Sequence, residues 1–284
     1  MDLLSLLLTL RPLSAPPADR PLPLWWGRAA HALLLDVVRQ RDSALAAALH
    51  ENTQAEQAAG ENLVRPFTVS TLIGRAGDGG PLQQEQYTLR LTAFRADVAD
   101  CLAGAAREGA LTAGAVVELD YFPFRVEAVQ PGKSPWEGCA TYQTLSAPYL
   151  LAKNSAGRRI GLDFRSPTTF KSGGKHVPLP LPGLVFGSLL ERWNACAPIA
   201  FPHELRRYAE ECLALTQYKL STRPVPAKSG SLRVGFVGEV SYTSLNYDRY
   251  WMSLLGVLAE FALYAGVGAG TSMGMGQCRL SDEG

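Results

Sequence analysis

The stretch YAGVGAGTSMGMGQCRL, Tyr264–Leu280, decides how the chain is read. Five glycines, Gly266, Gly268, Gly270, Gly274 and Gly276, fall within eleven residues. Glycine takes positive φ without strain and lets one backbone approach another closely. A run of such residues can offer backbone N–H groups to a phosphate. A helical pattern over about Tyr247–Ala265 precedes the loop, and the short strand pattern QCRL follows it. That order excludes a dinucleotide fingerprint, which runs from strand to helix. The spacing excludes it too: G-x-G-x-x-G counted from Gly266 ends on Thr271, and counted from Gly268 ends on Met273. No G-x-x-x-x-G-K-[ST] phosphate loop exists either. The competing view is a tight helix-to-strand connection packed on a sheet.

Outward from this loop the pattern is mixed. MDLLSLLLTL reads as a first strand, followed by a Pro-rich loop from Pro12 to Pro23. A helix is expected over about Trp26–Arg39, with Leu33, Leu34, Val37 and Val38 apolar. A short Ala-rich helix follows over about Ser43–Leu49, capped by Asp42 or Ser43. Two β-rich runs, LVRPFTVSTLIGR and QQEQYTLRLTAF, flank the turn-forming AGDGGP. A helix at about Ala96–Arg107 and one strand over VVELDYFPFRVEAVQ complete the order β-α-β-β-α-β, the ferredoxin-like split unit. Gln130–Gly138 reads as a linker. The second half shows strands at about Tyr142–Ala152 and Ile160–Phe164, helices at about Gly183–Ala195 and His203–Leu213, and a long strand, SLRVGFVGEVSYTSL. The expected fold class is α+β: two tandem ferredoxin-like (RRM-like) domains, 1–130 and 131–284, with the glycine-rich loop near the C terminus.

Of the 284 residues, 47% are apolar and 19% charged, which excludes wholesale disorder. No uncharged apolar run reaches the roughly 18 residues of a membrane span. LLSLLLTL is short, follows Asp2 rather than a basic region and leads to no small-residue cleavage site, so it reads as a buried strand rather than a signal peptide. Five cysteines without a C-x-x-C pair indicate neither a disulfide framework nor a zinc finger. Cys101, Cys196 and Cys212 are expected to be buried thiols, and the cytoplasm is the expected compartment. The net charge of +1 excludes a polybasic nucleic-acid coat but hides a split. Residues 1–130 carry 11 Lys and Arg against 15 Asp and Glu, with no lysine; residues 131–284 carry 16 against 11. Lys153, Arg158, Arg159, Arg165, Lys171 and Lys175 surround a single acid, Asp163, and Lys219, Arg223, Lys228 and Arg233 cluster without one. Such patches are the footprint of a polyanion ligand; a solvated surface with a chance excess of one sign is the alternative.

A glycine-rich loop between the last helix and last strand of a tandem ferredoxin-like chain resembles the RAMP (repeat-associated mysterious protein) superfamily of CRISPR systems. Three segments, in order, resemble its repeat-processing endoribonucleases, the Cas6 family: AALHEN around His50, LDFRSPTTFKSGG (Leu162–Gly174), and WMSLLGVLAEFALYAGVGAGTSMGMG. The resemblance implies cleavage of CRISPR repeat RNA in a precursor transcript, to release guide RNAs. It implies no metal and no cofactor, attack by the ribose 2′-oxygen on the adjacent phosphorus, and 2′,3′-cyclic phosphate and 5′-hydroxyl ends. DNA, lacking the 2′-hydroxyl, would be left uncut.

Such chemistry needs a base, an acid and a cation. His50, at the end of the short helix, matches the family's histidine and takes the leading acid–base role. His31, on the first helix, stands where family members place a second catalytic group. Arg65, in ENLVRPFTVS, is proposed to stabilise the phosphate charge. Arginine does not donate protons at neutral pH but binds phosphate bidentately. RNA contacts are assigned to Lys153, Arg158, Arg159, Arg165, Lys171 and Lys175, to the hydroxyls of Ser166, Thr168 and Thr169, and to Gly266, Gly268, Gly270, Gly274 and Gly276. Tyr142, Tyr149 and Phe170 are stacking candidates, and His176 a further RNA contact; His203 reads as structural. The expected partners are repeat RNA and, beside it, CRISPR effector subunits or a second copy of the chain, with no membrane. The alternatives are a non-catalytic RNA-binding subunit of an effector complex, and an unrelated α+β protein gripping a small phosphorylated ligand.

Overall fold

The computed structural model describes residues 1–14, 22–50, 64–74, 85–130, 134–151, 157–227 and 231–281. The chain divides into two compact units, Met1–Cys139 with Ser272–Gly274, and Ala140–Thr271 with Met275–Gly284.

In the first unit β1 (Leu3–Pro12) leads to α1 (Gly27–Arg41) and a short helix, α2, over residues 43–50. Then come β2 (Phe67–Val69), β3 (Tyr87–Ala93), α3 (Ala96–Glu108), β4 (Val116–Leu119), β5 (Phe122–Gln130) and β6 (Gly138–Ala140). The strand order is β2-β3-β1-β5-β4, with β6 pairing on β1. The four strands β2-β3-β1-β5 reproduce the ferredoxin-like order, because β1 lies between the second hairpin strand and the last strand. Leu33, Leu34, Val37 and Val38 of α1 and Val98 and Leu102 of α3 are buried with Leu8, Leu10, Leu89 and Phe124 of the sheet. The expected single strand over VVELDYFPFRVEAVQ is in fact a hairpin, β4–β5. Asp120 and Tyr121 turn the chain with φ of +50° and +69°, the positive φ at both central residues that a type I′ turn needs.

The second unit contains α4 (Tyr142–Leu150), β7 (Arg159–Thr168), β8 (Phe170–Ser172), β9 (Lys175–Val177), α5 (Pro182–Cys196), α6 (Glu204–Cys212), β10 (Leu213–Pro226), β11 (Leu232–Ser244), α7 (Arg249–Ala265) and β12 (Cys278–Leu280). Its sheet order, β10-β11-β7-β12, is again ferredoxin-like, and β8–β9 is a separate hairpin. Phe186, Leu189 and Trp193 of α5 and Leu255, Leu258 and Phe261 of α7 are buried, with Trp193 set edge-on to Phe261 at 5.3 Å.

Three expectations are corrected here. Residues 142–150 form a helix, not a strand. The Thr141 hydroxyl accepts from the Thr144 N–H at 3.0 Å and the Thr144 hydroxyl from the Thr141 N–H at 2.9 Å, a reciprocal capping box that outweighs the β-like composition of YQTLSAPYL. The strand β10 was not anticipated. Cys101, Cys196 and Cys212 are half-buried rather than buried; Cys278 is the buried one, and all five cysteines are free thiols. Among the described residues, no helix is long and apolar enough to cross a membrane.

Candidate active site

The site in the first unit is built on α1. The helix turns Ala30, Leu34, Val37 and Val38 into the core and leaves His31 half-buried beside them. The imidazole lies 5.4 Å from the Phe67 ring. Its Nδ1 lies 3.0 Å from the Ser272 carbonyl oxygen. A carbonyl only accepts, so Nδ1 carries the hydrogen, and in the neutral ring Nε2 is left as the acceptor. Arg65, just ahead of β2, donates through Nη1 to the Ser272 hydroxyl at 2.8 Å. Both sequence-predicted residues therefore converge on one residue that the sequence did not single out.

Ser272–Gly274 is held in place by further contacts. Trp25 Nε1 donates to the Met273 carbonyl at 2.6 Å, and Gly274 bridges to Ser70 in parallel register. Gly27, the first residue of α1, is required for space rather than for conformation. A Cβ there would lie 1.8 Å from the Met273 carbonyl oxygen.

Burial lowers the pKa of His31 from 6.5 to about 4, with the charges of Arg65 and His50 acting in the same direction and the Ser272 hydrogen bond opposing them. The ring is thus neutral at pH 7. Between pH 6.5 and 4 the unfolded chain binds a proton that the folded chain does not, so stability falls as the pH drops through that window. The loss attributable to His31 is at most about 3 kcal/mol. Urea unfolding at pH 7.0 and 4.5 should show a smaller difference for His31→Gln than for the parent chain.

His50 is exposed and is the last described residue of α2. The helix is capped by Asp42, whose Oδ1 accepts from the Leu45 N–H at 2.9 Å, and Leu49 anchors it in the core. His50 is near enough for its charge to act on His31.

The second unit holds the basic candidates. Lys153 lies outside the described residues. Arg158 is exposed with its guanidinium 4.9 Å over the Tyr247 ring. Arg159 donates to Gln217 at 2.6 Å and Ser241 at 3.1 Å, and Arg165 pairs with Asp163 at 2.7 Å. Lys171, Lys175 and His176 are exposed on the β8–β9 hairpin, and His203 precedes α6 as its cap residue.

The hydroxyls assigned to RNA face inward instead. Ser166, Thr168 and Thr169 are buried; Ser166 Oγ accepts from the Gln277 N–H at 2.8 Å, and Thr168 Oγ1 donates to the Ser166 carbonyl at 3.0 Å. Tyr142 and Phe170 are core residues, and Tyr149 donates to Glu260 at 3.0 Å. All five loop glycines have positive φ. The loop does not offer a simple row of free amides, however. The N–H of Gly266 goes to Ala262, that of Gly268 to the Ser188 hydroxyl and that of Gly276 to Pro167, while Arg192 donates to the Gly268 carbonyl. Among the described residues, no three His, Cys, Asp or Glu side chains are placed to hold a metal ion.

The family model for the CRISPR-associated endoribonuclease Cas6 matches residues 162–278, from β7 through the glycine-rich loop into β12. A solved Cas6 product complex superposes with a TM-score of 0.73 at 29% identity, covering 99% of this chain and 100% of that one. The chain is similar to Cas6 proteins in sequence over β7–β12 and in fold over nearly its whole length. A second Cas6 product complex matches with a TM-score of 0.73 at 26% identity over 98% of the chain. A Cas6 endoribonuclease of Mycobacterium tuberculosis is 31% identical over 125 residues, and one of Streptococcus thermophilus 29% over 129. These matched regions span 39% and 49% of the two Cas6 relatives' lengths and 43% and 42% of this chain. A Cas6-related protein of Pyrococcus furiosus, at 13% identity and a TM-score of 0.60, shares the fold.

Proposed function

We propose that this chain is a metal-independent endoribonuclease that cuts CRISPR repeat RNA in the precursor transcript, in the cytoplasm, to release guide RNAs. The single observation that carries the mechanism is the His31–Ser272–Arg65 arrangement, which holds a neutral imidazole and a guanidinium on one residue. Its relatives are named endoribonucleases, and two structures that share its fold over nearly the whole chain are Cas6 product complexes.

The reaction uses side chains of this chain throughout. His31 Nε2 takes the proton of the ribose 2′-hydroxyl. The 2′-oxygen attacks the adjacent phosphorus, the O2′–P bond forms and the P–O5′ bond breaks. His50 gives a proton to the departing 5′-oxygen. Arg65 neutralises the charge that builds on the phosphate oxygens. The products are a 2′,3′-cyclic phosphate and a 5′-hydroxyl. A pKa of about 4 makes free His31 a weak base. Burial is the chief cause of that low value; the incoming phosphate counters the second cause, the charge of Arg65, and so acts to raise it. The acid–base groups thus belong to residues 1–130, and RNA is held chiefly by the exposed cations of residues 131–284, Arg158, Arg159, Arg165, Lys171 and Lys175.

The test is cleavage of end-labelled host repeat RNA in EDTA, beside the same RNA with one 2′-deoxy nucleotide at the cut. Cutting of the first and sparing of the second is the expected result. Binding of both without cutting would replace this reading with that of a non-catalytic RNA-binding subunit.

A further inference from the structure

The adjoining ends of β10 and β11 and the β8–β9 hairpin line a notch of about 320 Å³ in the second unit, walled by His176, Pro178, Ala227, Ser231, Leu232, Arg233 and Val234. Its volume is at the lower end of the roughly 300–1,000 Å³ of small-ligand sites, enough for a single nucleotide and too small for a duplex. Its walls divide by chemistry. Pro178, Leu232 and Val234 form an apolar shelf, and Leu232 is 67% exposed although it is a large aliphatic residue. The polar side is cationic. Lys171 lies directly opposite His176 in the hairpin register, so the two side chains share a face. Burial, then Arg233 and then Lys171, lower the pKa of His176, so both charges that bear on the ring are positive.

Arg233 also reaches the glycine-rich loop. Its Nη1 lies 3.9 Å from Met275 Sδ and 3.3 Å from the point where a Cβ on Gly270 would sit. Gly270 has a φ of +78° and no side chain, which leaves the space beside the guanidinium clear. The notch therefore opens beside the loop that first marked the sequence, with an arginine contributed by another strand at its edge.

We propose that this notch holds one unpaired nucleotide of the RNA, with the base on the Leu232–Val234–Pro178 shelf and its phosphate between Arg233 and Lys171. The assignment rests on the RNA-processing function proposed above and joins Lys171, already expected to contact RNA, to Arg233 and an apolar shelf. An apolar shelf accepts any base face, while Arg and Lys supply affinity through phosphate.

Fluorescence anisotropy of labelled host repeat RNA tests it with the full chain. Leu232→Asp places a negative charge on an exposed position where folding is not at stake, and Arg233→Ala removes the guanidinium. Each should weaken RNA binding by about tenfold. Arg233→Ala should also lower the slope of log affinity against log salt by about one phosphate contact. Arg233→Lys should recover most of the loss, which separates charge from packing. If the parent chain binds repeat RNA and both variants bind it equally well, the site is wrong and the RNA reading stands. If the parent chain binds no repeat RNA, the functional reading falls and the site with it. Tight binding of free AMP by the parent chain, lost in Leu232→Asp, would reassign the notch to a mononucleotide and overturn the proposal.

Discussion

His31→Ala lowers the single-turnover rate of repeat-RNA cleavage by about 10²–10⁴-fold, the range of a lost general base, and leaves RNA affinity within a few-fold. The expectation follows from the tautomer. Ser272 fixes the hydrogen on Nδ1, so Nε2 is the lone acceptor the ring can turn toward a ribose hydroxyl. The basic residues of the second unit are untouched by the change, so binding persists. His50→Ala should also slow cutting, and its loss should ease at low pH, where solvent can supply the proton to the leaving oxygen. Quenched cleavage assays from pH 5 to 9 distinguish the two roles. A His31→Ala variant that cuts at the parent rate would remove His31 from the mechanism.

Gly27→Ala should be the most damaging change outside the reacting groups. Helix propensity alone predicts a gain of about 1 kcal/mol from alanine at a helical glycine. The structure reverses the sign. The added methyl would sit 1.8 Å from the Met273 carbonyl oxygen and 2.6 Å from Trp25 Nε1, both parts of the contact that seats Ser272–Gly274. Forced overpacking of this kind costs about 1–3 kcal/mol. The segment cannot move without carrying the Ser272 carbonyl away from His31, and misplacement by about 1 Å can cost 10²-fold in rate. The expected outcome is a lower Tm together with a cleavage rate reduced by about 10²-fold, and the measurement is a melting curve beside a single-turnover assay. A Gly27→Ala protein that is more stable and equally fast would show that the loop does not need that seat.

These expectations also mark what could be read in the sequence. The two ferredoxin-like units were legible because apolar periodicity and helix length survive in α1, α3, α5 and α7. His31 and Arg65 are candidates by residue type alone, and nothing in the sequence marks Ser272, on which the two converge. Ser272 acts on His31 through a backbone carbonyl and a separation of 241 positions, and neither leaves a trace in residue type. Gly27 was invisible for a related reason: nothing local in WWGRAAH requires glycine, and the constraint is a carbonyl from the far end of the chain. β10 was missed because most of LALTQYKLSTRPVP is exposed and two prolines interrupt it, so the alternation of a half-buried strand is absent. Ser166 and Thr168 read as hydroxyl donors to RNA because side-chain chemistry alone does not show that β7 is buried along nearly its whole length.

The membership of Ser272–Gly274 in the first unit has a consequence in time. A ribosome makes residues 1–139 first, and β1 through β5 can pair as they emerge, but the carbonyl that orients His31 is still unmade. Residues 140–272 number 133, and at roughly 5–20 residues per second they take on the order of ten seconds to add. During that interval the nascent chain carries His31 and Arg65 without the residue on which both converge. On the proposed mechanism, a nascent chain stalled between residues 140 and 271 presents His31 without the carbonyl that orients it, and would bind RNA without cutting it.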